Sequence, residues 1–206
     1  VRRSTVTSLR RPRSIAVLGA SEREGTVGRH TIENLLKGGY EGRLYAVNPG
    51  RDAVQGVPCF ASLDALPQPV EHVIFAISDT RVEAALEEVI AHGARAATLM
   101  SSLVLANDRE PPLRERVLAR IRSSGLLVCG ANGMGFYNFT DGIWGCGFRT
   151  RMHRRGGNVA LLERMGAHLG DERRHAGVLR FLVGCPERHA PVQLAAGAPA
   201  PVQSRK

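Results

Sequence analysis

Short apolar runs alternate with helix-length amphipathic segments along most of the chain, and this alternation constrains the fold more than any other feature. Five runs predict strands, at 14–20, 42–49, 72–78, 96–102 and 126–132, and a sixth begins within 157–162. The segments between them predict helices at 27–39, 79–93 and 111–125, with a short one at 62–66. The pattern predicts an α/β fold, a Rossmann-like doubly wound parallel sheet, which binds ligands at the carboxyl ends of its strands.

Composition points to a globular protein of the cytoplasm. The apolar fraction of 43% is enough for a packed core. No apolar run reaches the roughly 18 residues that a membrane span needs. The four cysteines form no C-x-x-C pair, and no histidine pattern has metal-ligand spacing. We therefore expect a cytoplasmic protein with no membrane segment and no metal site.

The net charge of +9 raises the question of a nucleic-acid partner. Residues 1–13 carry five arginines and no acid, and residues 149–206 have a balance of +7. Residues 14–148, where the strands and helices are predicted, have a balance of −3. A nucleic-acid-binding domain carries its basic stripe on the fold itself. We therefore expect no nucleic-acid partner.

The loop after the first strand, GASEREGTVG, is typical of a phosphate-binding turn that leads into a helix. Its glycines are Gly19, Gly25 and Gly28, so the second follows the first by six residues rather than two. This spacing differs from the G-x-G-x-x-G dinucleotide motif. The loop still offers backbone N–H groups and the Ser21 hydroxyl beside a helix N-terminus.

The end of the second strand argues against NAD. A dinucleotide-binding domain places an Asp or Glu there to accept from the ribose hydroxyls. This chain has Asn48 and Pro49 instead, with Arg51 close behind. An arginine at this point favours a ligand with an additional phosphate near the ribose, although a solvated turn residue is the simpler alternative.

Three motifs together carry a family resemblance: GAS after the first strand, VNP after the second and GANGMGFYN after the fifth. In this order they resemble the CoA-binding domain of the NDP-forming acyl-CoA synthetases, which include the succinyl-CoA synthetase α subunit and the ADP-forming acetyl-CoA synthetases. The resemblance covers residues 13–162 and implies that coenzyme A is the ligand. Arg51 also suits CoA better than NAD, because CoA carries a 3′-phosphate near its ribose and NAD does not.

The resemblance implies a set of CoA-contacting residues in the loops after the strands. The first two loops would hold the ADP part, the next two would flank the pantetheine and the fifth would border the thioester. In chain order these residues are Gly19, Ala20, Ser21, Glu22, Arg23, Glu24, Gly25, Asn48, Pro49, Arg51, Ile77, Ser78, Met100, Ser101, Ser102 and Asn132. The family's Pro and Cys in the fifth loop are replaced by Ala131 and Gly133, which makes the local turn differ.

The pattern of the family stops after Leu162. We predict a basic N-terminal tail at 1–12, a CoA-binding Rossmann-like domain at 13–162 and a divergent, partly disordered C-terminal tail at 163–206. A shifted reading frame in a GC-rich gene is one hypothesis for this tail.

No catalytic residue, phosphohistidine or ATP site is recognisable, so we expect a CoA-binding part of a ligase that is not catalytic alone. Separate ATP-grasp and phosphohistidine subunits, or a second copy in a homodimer, are the expected partners.

Two points stay open at the level of sequence. A small NAD(P)-binding oxidoreductase or a nucleotide-sensing regulator is the alternative function. The aromatic, glycine-rich segment 135–148 is either a lid over the thiol end of CoA or a loop buried against a second domain. The second interpretation is favoured because an exposed aromatic loop would form a sticky patch.

Overall fold

The five predicted strands form next to one another in a single sheet. The computed structural model describes residues 5–150 and two further strands at 160–165 and 178–183. The helices of this part are α1 (Thr5–Arg10), α2 (Val27–Gly38), α3 (Asp79–Ala91) and α4 (Leu113–Ser124). The strands of the main sheet are β1 (Ser14–Leu18), β2 (Arg43–Val47), β3 (Ala53–Val54), β4 (Val57–Phe60), β5 (His72–Phe75), β6 (Ala96–Leu99) and β7 (Leu127–Cys129).

The main sheet has seven strands in the order β3-β4-β2-β1-β5-β6-β7. All neighbouring strands from β4 to β7 pair in parallel, and only β3 runs antiparallel to its neighbour. The chain builds outward from β1 to β2, then returns to β5 on the other side of β1. This reversal is the switch point at which doubly wound sheets open a crevice for ligands. The predicted Rossmann-like fold is therefore confirmed.

Helices cover the sheet on both faces, so the strands are apolar on both sides, as buried parallel strands are. One face packs against α3, α4 and the segment 61–70, with Phe75 and Leu86 at its centre. The other face packs against α2, where Ile15, Ile32 and Leu35 are fully buried. The carboxyl ends of the strands are left to the loops.

A second, four-stranded sheet lies beside the main one. Its strands are β8 (Gly135–Asn138), β9 (Ile143–Cys146), β10 (Ala160–Met165) and β11 (Val178–Val183), in the order β10-β11-β8-β9. The strands β8 and β9 form an antiparallel hairpin from the aromatic segment. Phe136 and Ile143 of this hairpin are buried in the cluster that contains Ile32.

This hairpin corrects one expectation. The aromatic segment was expected to be buried against a second domain, but it packs against α2 of the same domain, because Phe136 and Ile143 share a buried cluster with Ile32 and Leu35. The predicted short helix at 62–66 is also wrong, since these residues form turns. Pro67 and Pro69 follow this segment directly. Leu63 and Leu66 are buried, and the Leu66 N–H donates to the Leu63 carbonyl in a single turn.

Both predicted tails contain an element that the sequence did not suggest. Residues 5–10 of the predicted basic tail form α1, whose Leu9 packs against Ala96 and Cys129. The expected sixth strand is β10, and β11 falls within the predicted C-terminal tail. The rest of that tail lies outside the described residues, so the domain boundaries stay predictions.

Candidate binding edge

Five loops meet at the carboxyl edge of the main sheet, where the sequence places the predicted site. They follow β1, β2, β5, β6 and β7, whose parallel pairing brings all five strand ends to one side. Every predicted site residue lies in one of these loops or directly beside it. Hydrogen bonds join the first loop to the second, the third to the fourth and the fourth to the fifth, and the first and third loops are in contact, so the edge is one connected surface.

The first loop comes close to the start of α2 at two glycines. Gly19 has a φ of 81°, and its N–H donates to the carbonyl of Val47 at 3.0 Å. A Cβ on Gly28 would lie 2.0 Å from the carbonyl oxygen of Gly19. Only glycine permits this approach of helix to strand, which is the role of the third glycine in dinucleotide-binding turns. The loop therefore keeps the packing of that motif at a different spacing.

Hydroxyl groups shape the rest of the first loop. The Ser21 hydroxyl oxygen accepts from the Arg23 N–H at 3.0 Å. Thr26 caps α2, because its hydroxyl oxygen accepts from the Arg29 N–H at 3.4 Å and its hydroxyl donates to the Arg23 carbonyl at 2.8 Å. The N-terminus of α2 thus lies directly behind the loop, with its partial positive charge toward the binding edge.

Asn48 connects the second loop to the first. Its side-chain amide donates to the Ala20 carbonyl at 2.7 Å, and its own N–H donates to the Phe60 carbonyl at 2.9 Å. Pro49 and Gly50 then form a turn, with a φ of 81° at Gly50. Arg51 follows this turn, is exposed and has no ion pair in the described part of the chain. Asn48 is thus a structural link, whereas the guanidinium of Arg51 is available to a ligand.

The third and fourth loops are joined through Asp79, at the start of α3. One carboxylate oxygen of Asp79 accepts from the Ser102 hydroxyl at 2.6 Å, and the other accepts from the Leu103 N–H at 2.7 Å. The Ser101 hydroxyl donates to the Ile77 carbonyl at 2.9 Å. Both serine hydroxyls therefore have partners within the protein. Asp79 was not among the predicted site residues, because this link joins loops that are distant in sequence.

The third loop also carries Ser78, which precedes α3. Its hydroxyl lies 3.0 Å from the Thr80 hydroxyl and makes no capping hydrogen bond to the helix. Ile77 is half-buried and approaches Gly19, whose Cβ would lie 2.8 Å from the Ile77 side chain. The first and third loops are therefore in contact across the switch point.

The fifth loop joins the edge through its backbone. The Asn132 N–H donates to the Ser101 carbonyl at 2.7 Å, and Asn132 adopts a φ of 55°. A Cβ on Gly130 would lie 2.1 Å from the Leu99 carbonyl oxygen, so glycine is required there too. Met100 differs from its neighbours, since its sulfur lies 3.9 Å from the Thr31 hydroxyl of α2. Its side chain is partly buried and packs against the apolar cluster of the α2 face.

Three arginines lie in or near the first two loops, and only two of them are available. Arg29 donates from Nε to Glu33 at 2.9 Å and from Nη1 to the Glu22 carbonyl. Burial raises the pKa of Glu33, but hydrogen bonds from Arg29 and His30 outweigh burial and lower the pKa overall. Glu33 and Arg29 therefore form a charged pair. Arg23 and Arg51 are exposed, and neither has an ion pair within the described residues.

A separate cleft of about 690 Å³ lies at the opposite, amino edge of the sheet. It is lined by the end of α2, the start of β2 and the turn of the β8–β9 hairpin. Its Arg11 pairs with Asp141 at 2.7 Å. Because parallel sheets bind ligands at their carboxyl ends, this cleft is distinct from the predicted site.

Comparison with known proteins identifies the family of this domain. A family described as "CoA binding domain" matches residues 13–138. The ADP-forming acetate–CoA ligase II of Archaeoglobus fulgidus is 28% identical over 160 residues, which cover 77% of this chain and 24% of the ligase. The α subunit of the ADP-forming acetate–CoA ligase II of Pyrococcus furiosus is 29% identical over 158 residues, which cover 76% of this chain and 34% of the subunit.

A solved structure agrees with the fold. The apo form of a dinucleotide-forming acetyl-coenzyme A synthetase 1 from Ca. Korarchaeum cryptofilum superimposes with a TM-score of 0.58 at 27% identity. The match covers 63% of this chain and 28% of the synthetase. The chain thus spans about a quarter to a third of the length of these relatives. None of the helices in the described ranges has the length and apolar character required to cross a bilayer.

Proposed function

Because the chain belongs to the CoA-binding domain family, we propose that its carboxyl edge binds coenzyme A or an acyl-CoA. The ADP part would lie over the first two loops, and the pantetheine would cross the loops after β5 and β6. The relatives whose names describe a CoA ligase activity support this choice of ligand.

The observation that carries the proposal is the close approach of Gly28 to Gly19 beside two exposed arginines, whose guanidinium groups form no ion pair within the described residues. The glycine contact brings the N-terminus of α2 to the loop, where its N–H groups and dipole favour a phosphate. Arg23 and Arg51 add positive charge on the solvent side of the same loops. A ligand with several phosphates near an adenosine fits this arrangement.

Arg51 is proposed to contact the 3′-phosphate of CoA. It follows the Pro49-Gly50 turn at the end of β2, where dinucleotide-binding domains place the carboxylate that holds the ribose. A guanidinium at that point would form a charged hydrogen bond with the 3′-phosphate of CoA. NAD has no phosphate there, so the same residue gives NAD no advantage.

The remaining loops would shape the path of the pantetheine rather than donate hydrogen bonds from side chains. The hydroxyls of Ser101 and Ser102 already donate to Ile77 and Asp79. Their contribution to ligand binding would therefore come from the backbone and from the surface that they form. Asn132 would lie at the thiol end, where the fifth loop meets the fourth.

We further propose that this domain serves ligation only together with a phosphate carrier and an ATP site. The described residues show neither, and the relatives are three to four times longer than the matched part. One relative is named as the α subunit of a ligase, which is consistent with a function shared between subunits. The cytoplasm would supply CoA and a reducing environment for its thiol.

Calorimetric titration with CoA, dephospho-CoA, NAD and NADP tests the proposal. We expect heat of binding from CoA, weaker binding of dephospho-CoA and none from NAD. The variant Arg51→Ala should lose about tenfold in affinity for CoA and little for dephospho-CoA, because it removes one charged contact. Arg43→Ala, an exposed arginine at the opposite edge, is the matched control.

Two outcomes would contradict the proposal. Binding of NAD or NADP without binding of CoA would favour the oxidoreductase alternative. An equal loss of affinity for CoA and dephospho-CoA in the Arg51 variant would exclude the 3′-phosphate contact while leaving CoA as the ligand.

A further inference from the structure

We infer that Glu22, with Arg29 and Gln55, forms a clamp that holds the loop after β1 in its ligand-binding shape. Glu22 then acts on the ligand through the loop, as a positioning residue, and not by touching a phosphate. The inference rests on the proposed function of the edge. It assigns a role to the β3–β4 hairpin, which contributes Gln55.

The first contact of the clamp joins the loop to the hairpin. A carboxylate oxygen of Glu22 accepts from the backbone N–H of Gln55 at 2.5 Å. Gln55 and Gly56 form the two-residue turn between β3 and β4, with φ values of 52° and 78°. Positive φ at both positions is typical of a tight hairpin turn that exposes its N–H groups. One of these groups is directed at Glu22.

Arg29 closes the clamp from the side of α2. Its Nη1 donates to the backbone carbonyl of Glu22, and its own carbonyl accepts from the Gln55 side-chain amide at 3.2 Å. The guanidinium also lies 3.7 Å from the Glu22 carboxylate. The loop, the helix and the hairpin are therefore linked in a ring of contacts around Glu22.

The ion pair itself contributes little to this clamp. The side chains of Glu22 and Arg29 are 41% and 25% exposed, and ion pairs at exposed positions are weak. The hydrogen bond from a backbone N–H to a carboxylate is the stronger element, because its acceptor is charged. Its effect is to keep the loop ordered before the ligand arrives, which lowers the entropy cost of binding.

The charge of Glu22 makes the clamp testable. A carboxylate in a loop that holds phosphates repels the ligand, so simple electrostatics predicts tighter binding when it is removed. The clamp predicts weaker binding, because the loop loses its support. The two explanations differ in the sign of the effect.

Glu24 provides the comparison within the same loop. It carries the same charge, is exposed and has no hydrogen bond or ion pair among the described residues. Removal of its charge should therefore strengthen CoA binding by about twofold through reduced repulsion alone.

The experiment measures CoA and pantetheine affinity for the wild-type chain, Glu22→Ala, Glu22→Gln and Glu24→Ala. We expect Glu22→Ala to weaken CoA by about tenfold and to leave pantetheine, which has no phosphates, unaffected. Glu22→Gln should recover most of the affinity, since its side-chain oxygen can accept from the Gln55 N–H. Glu24→Ala should bind CoA about twofold more tightly than the wild type, because it removes one repelling charge.

The clamp is overturned if Glu22→Ala binds CoA as tightly as Glu24→Ala, or if it loses CoA and pantetheine equally. Hydrogen exchange on the ligand-free chain separates this failure from failure of the proposed function. Faster exchange of the amides of 53–60 in Glu22→Ala, but not in Glu24→Ala, supports the clamp even if the wild type binds no CoA. Unchanged exchange in both variants contradicts it.

Discussion

The two faces of the main sheet bury different kinds of side chain. On the α3–α4 face, the core cluster is made of aliphatic and aromatic side chains. On the α2 face, polar side chains with hydrogen-bond partners are buried among the apolar ones; they are Thr31, Asn34, His72 and Thr98. Burial of a polar group is favourable only when it finds a partner. The first face thus depends on volume, and the second depends on specific hydrogen bonds.

Asn34 shows how the second face is assembled. It is 1% exposed, and its side-chain amide donates to the Cys146 carbonyl at 3.0 Å and to the Phe148 carbonyl at 2.7 Å. Its side-chain oxygen accepts from the Thr150 N–H at 3.3 Å. One residue of α2 therefore satisfies the backbone at the end of β9, more than a hundred positions along the chain. The polar links of the α3–α4 face join residues that are closer in sequence: the His92 ring accepts from the Val70 N–H at 3.1 Å, and the Gln68 side-chain amide donates to the Tyr45 hydroxyl at 3.1 Å.

Cys146 lies in the same polar group. Burial raises the pKa of its thiol, which outweighs hydrogen bonds with Thr150 and Tyr137 that lower it. The Cys146 thiol is therefore protonated at neutral pH and serves as a donor to the Tyr137 hydroxyl at 2.9 Å. Its role on this face is structural.

The largest effect should come from the apolar face. Phe75 is fully buried between β1 and α3, so Phe75→Ala should lower the free energy of unfolding by about 3–5 kcal/mol. The cost combines lost burial with the cavity left behind. Urea unfolding followed by circular dichroism measures it, and a change below about 1 kcal/mol would show that this face is loosely packed.

The second-largest effect should be a loss of folding stability at low pH, caused by His72 on the α2 face. Its ring lies 2.9 Å from the Thr98 hydroxyl and stacks on Phe136. Burial lowers the pKa of His72 to about 4, against a smaller opposing effect of the Ser8 and Leu9 backbone. The folded state therefore favours the neutral ring. Its stability contribution is complete above the unfolded value near 6.5 and is lost as the pH falls toward 4.

We expect this loss to reach about 3 kcal/mol at pH 4. Unfolding of the wild type and of His72→Gln should be compared between pH 7 and pH 4. The variant keeps a hydrogen-bonding side chain but does not titrate, so its stability should fall less steeply. Parallel pH profiles for the two proteins would refute the assignment of this effect to His72.

Asn34→Ala should cost about 2–3 kcal/mol, because it leaves the carbonyls of Cys146 and Phe148 without their donor. Asn34→Asp is the sharper variant, since it keeps the acceptor for Thr150 but loses both donations. A matched control is Glu33→Ala, one position earlier on α2 and outside this polar group. Equal costs for the Asn34 and Glu33 variants would remove the distinction between the two faces.

The smallest effect should come from the ion pairs that join α3 and α4 at the rim of the apolar face. Hydrogen bonds from Arg116 are the main reason that the pKa of Glu83 is lowered, with burial opposing them. Glu83 is 42% exposed, so Glu83→Gln should cost less than about 1 kcal/mol. The loss of unfolding free energy in Glu83→Gln should become smaller in high salt. A larger loss that does not depend on salt would show that the rim contributes as much as the core.

The strands of the main sheet were predictable because parallel strands are apolar on both faces and leave a clear trace. The hairpins were not. β3 and β4 have two and four residues, and Pro58 lies within β4, which argues against a strand. β8 and β9 have four residues each, and glycines at 135, 142 and 145 make their segment look like a loop. Pairing partners, rather than local preference, make these segments strands.

The candidate edge likewise has features that could be predicted from the sequence and features that could not. The positions of Gly19, Arg51 and Asn132 after their strands followed from the order of the elements. The partners of Ser101, Ser102 and Asn48 did not, because each hydrogen bond joins loops that are distant in sequence. Glu22 was predicted as a ligand contact, and only its distance to Gln55 suggests another role.

By itself, the sequence determined the alternation of strands and helices, the order of the loops at the candidate edge and the glycines that let α2 approach β1. These depend on apolar spacing and on backbone conformations that are local to a few residues. Only the tertiary structure decided that the aromatic segment packs on α2, that His72 lies in a dry core and that Glu22 faces a hairpin. Such contacts join residues far apart in the chain, and their free energy comes from burial and hydrogen bonding that exist only after folding.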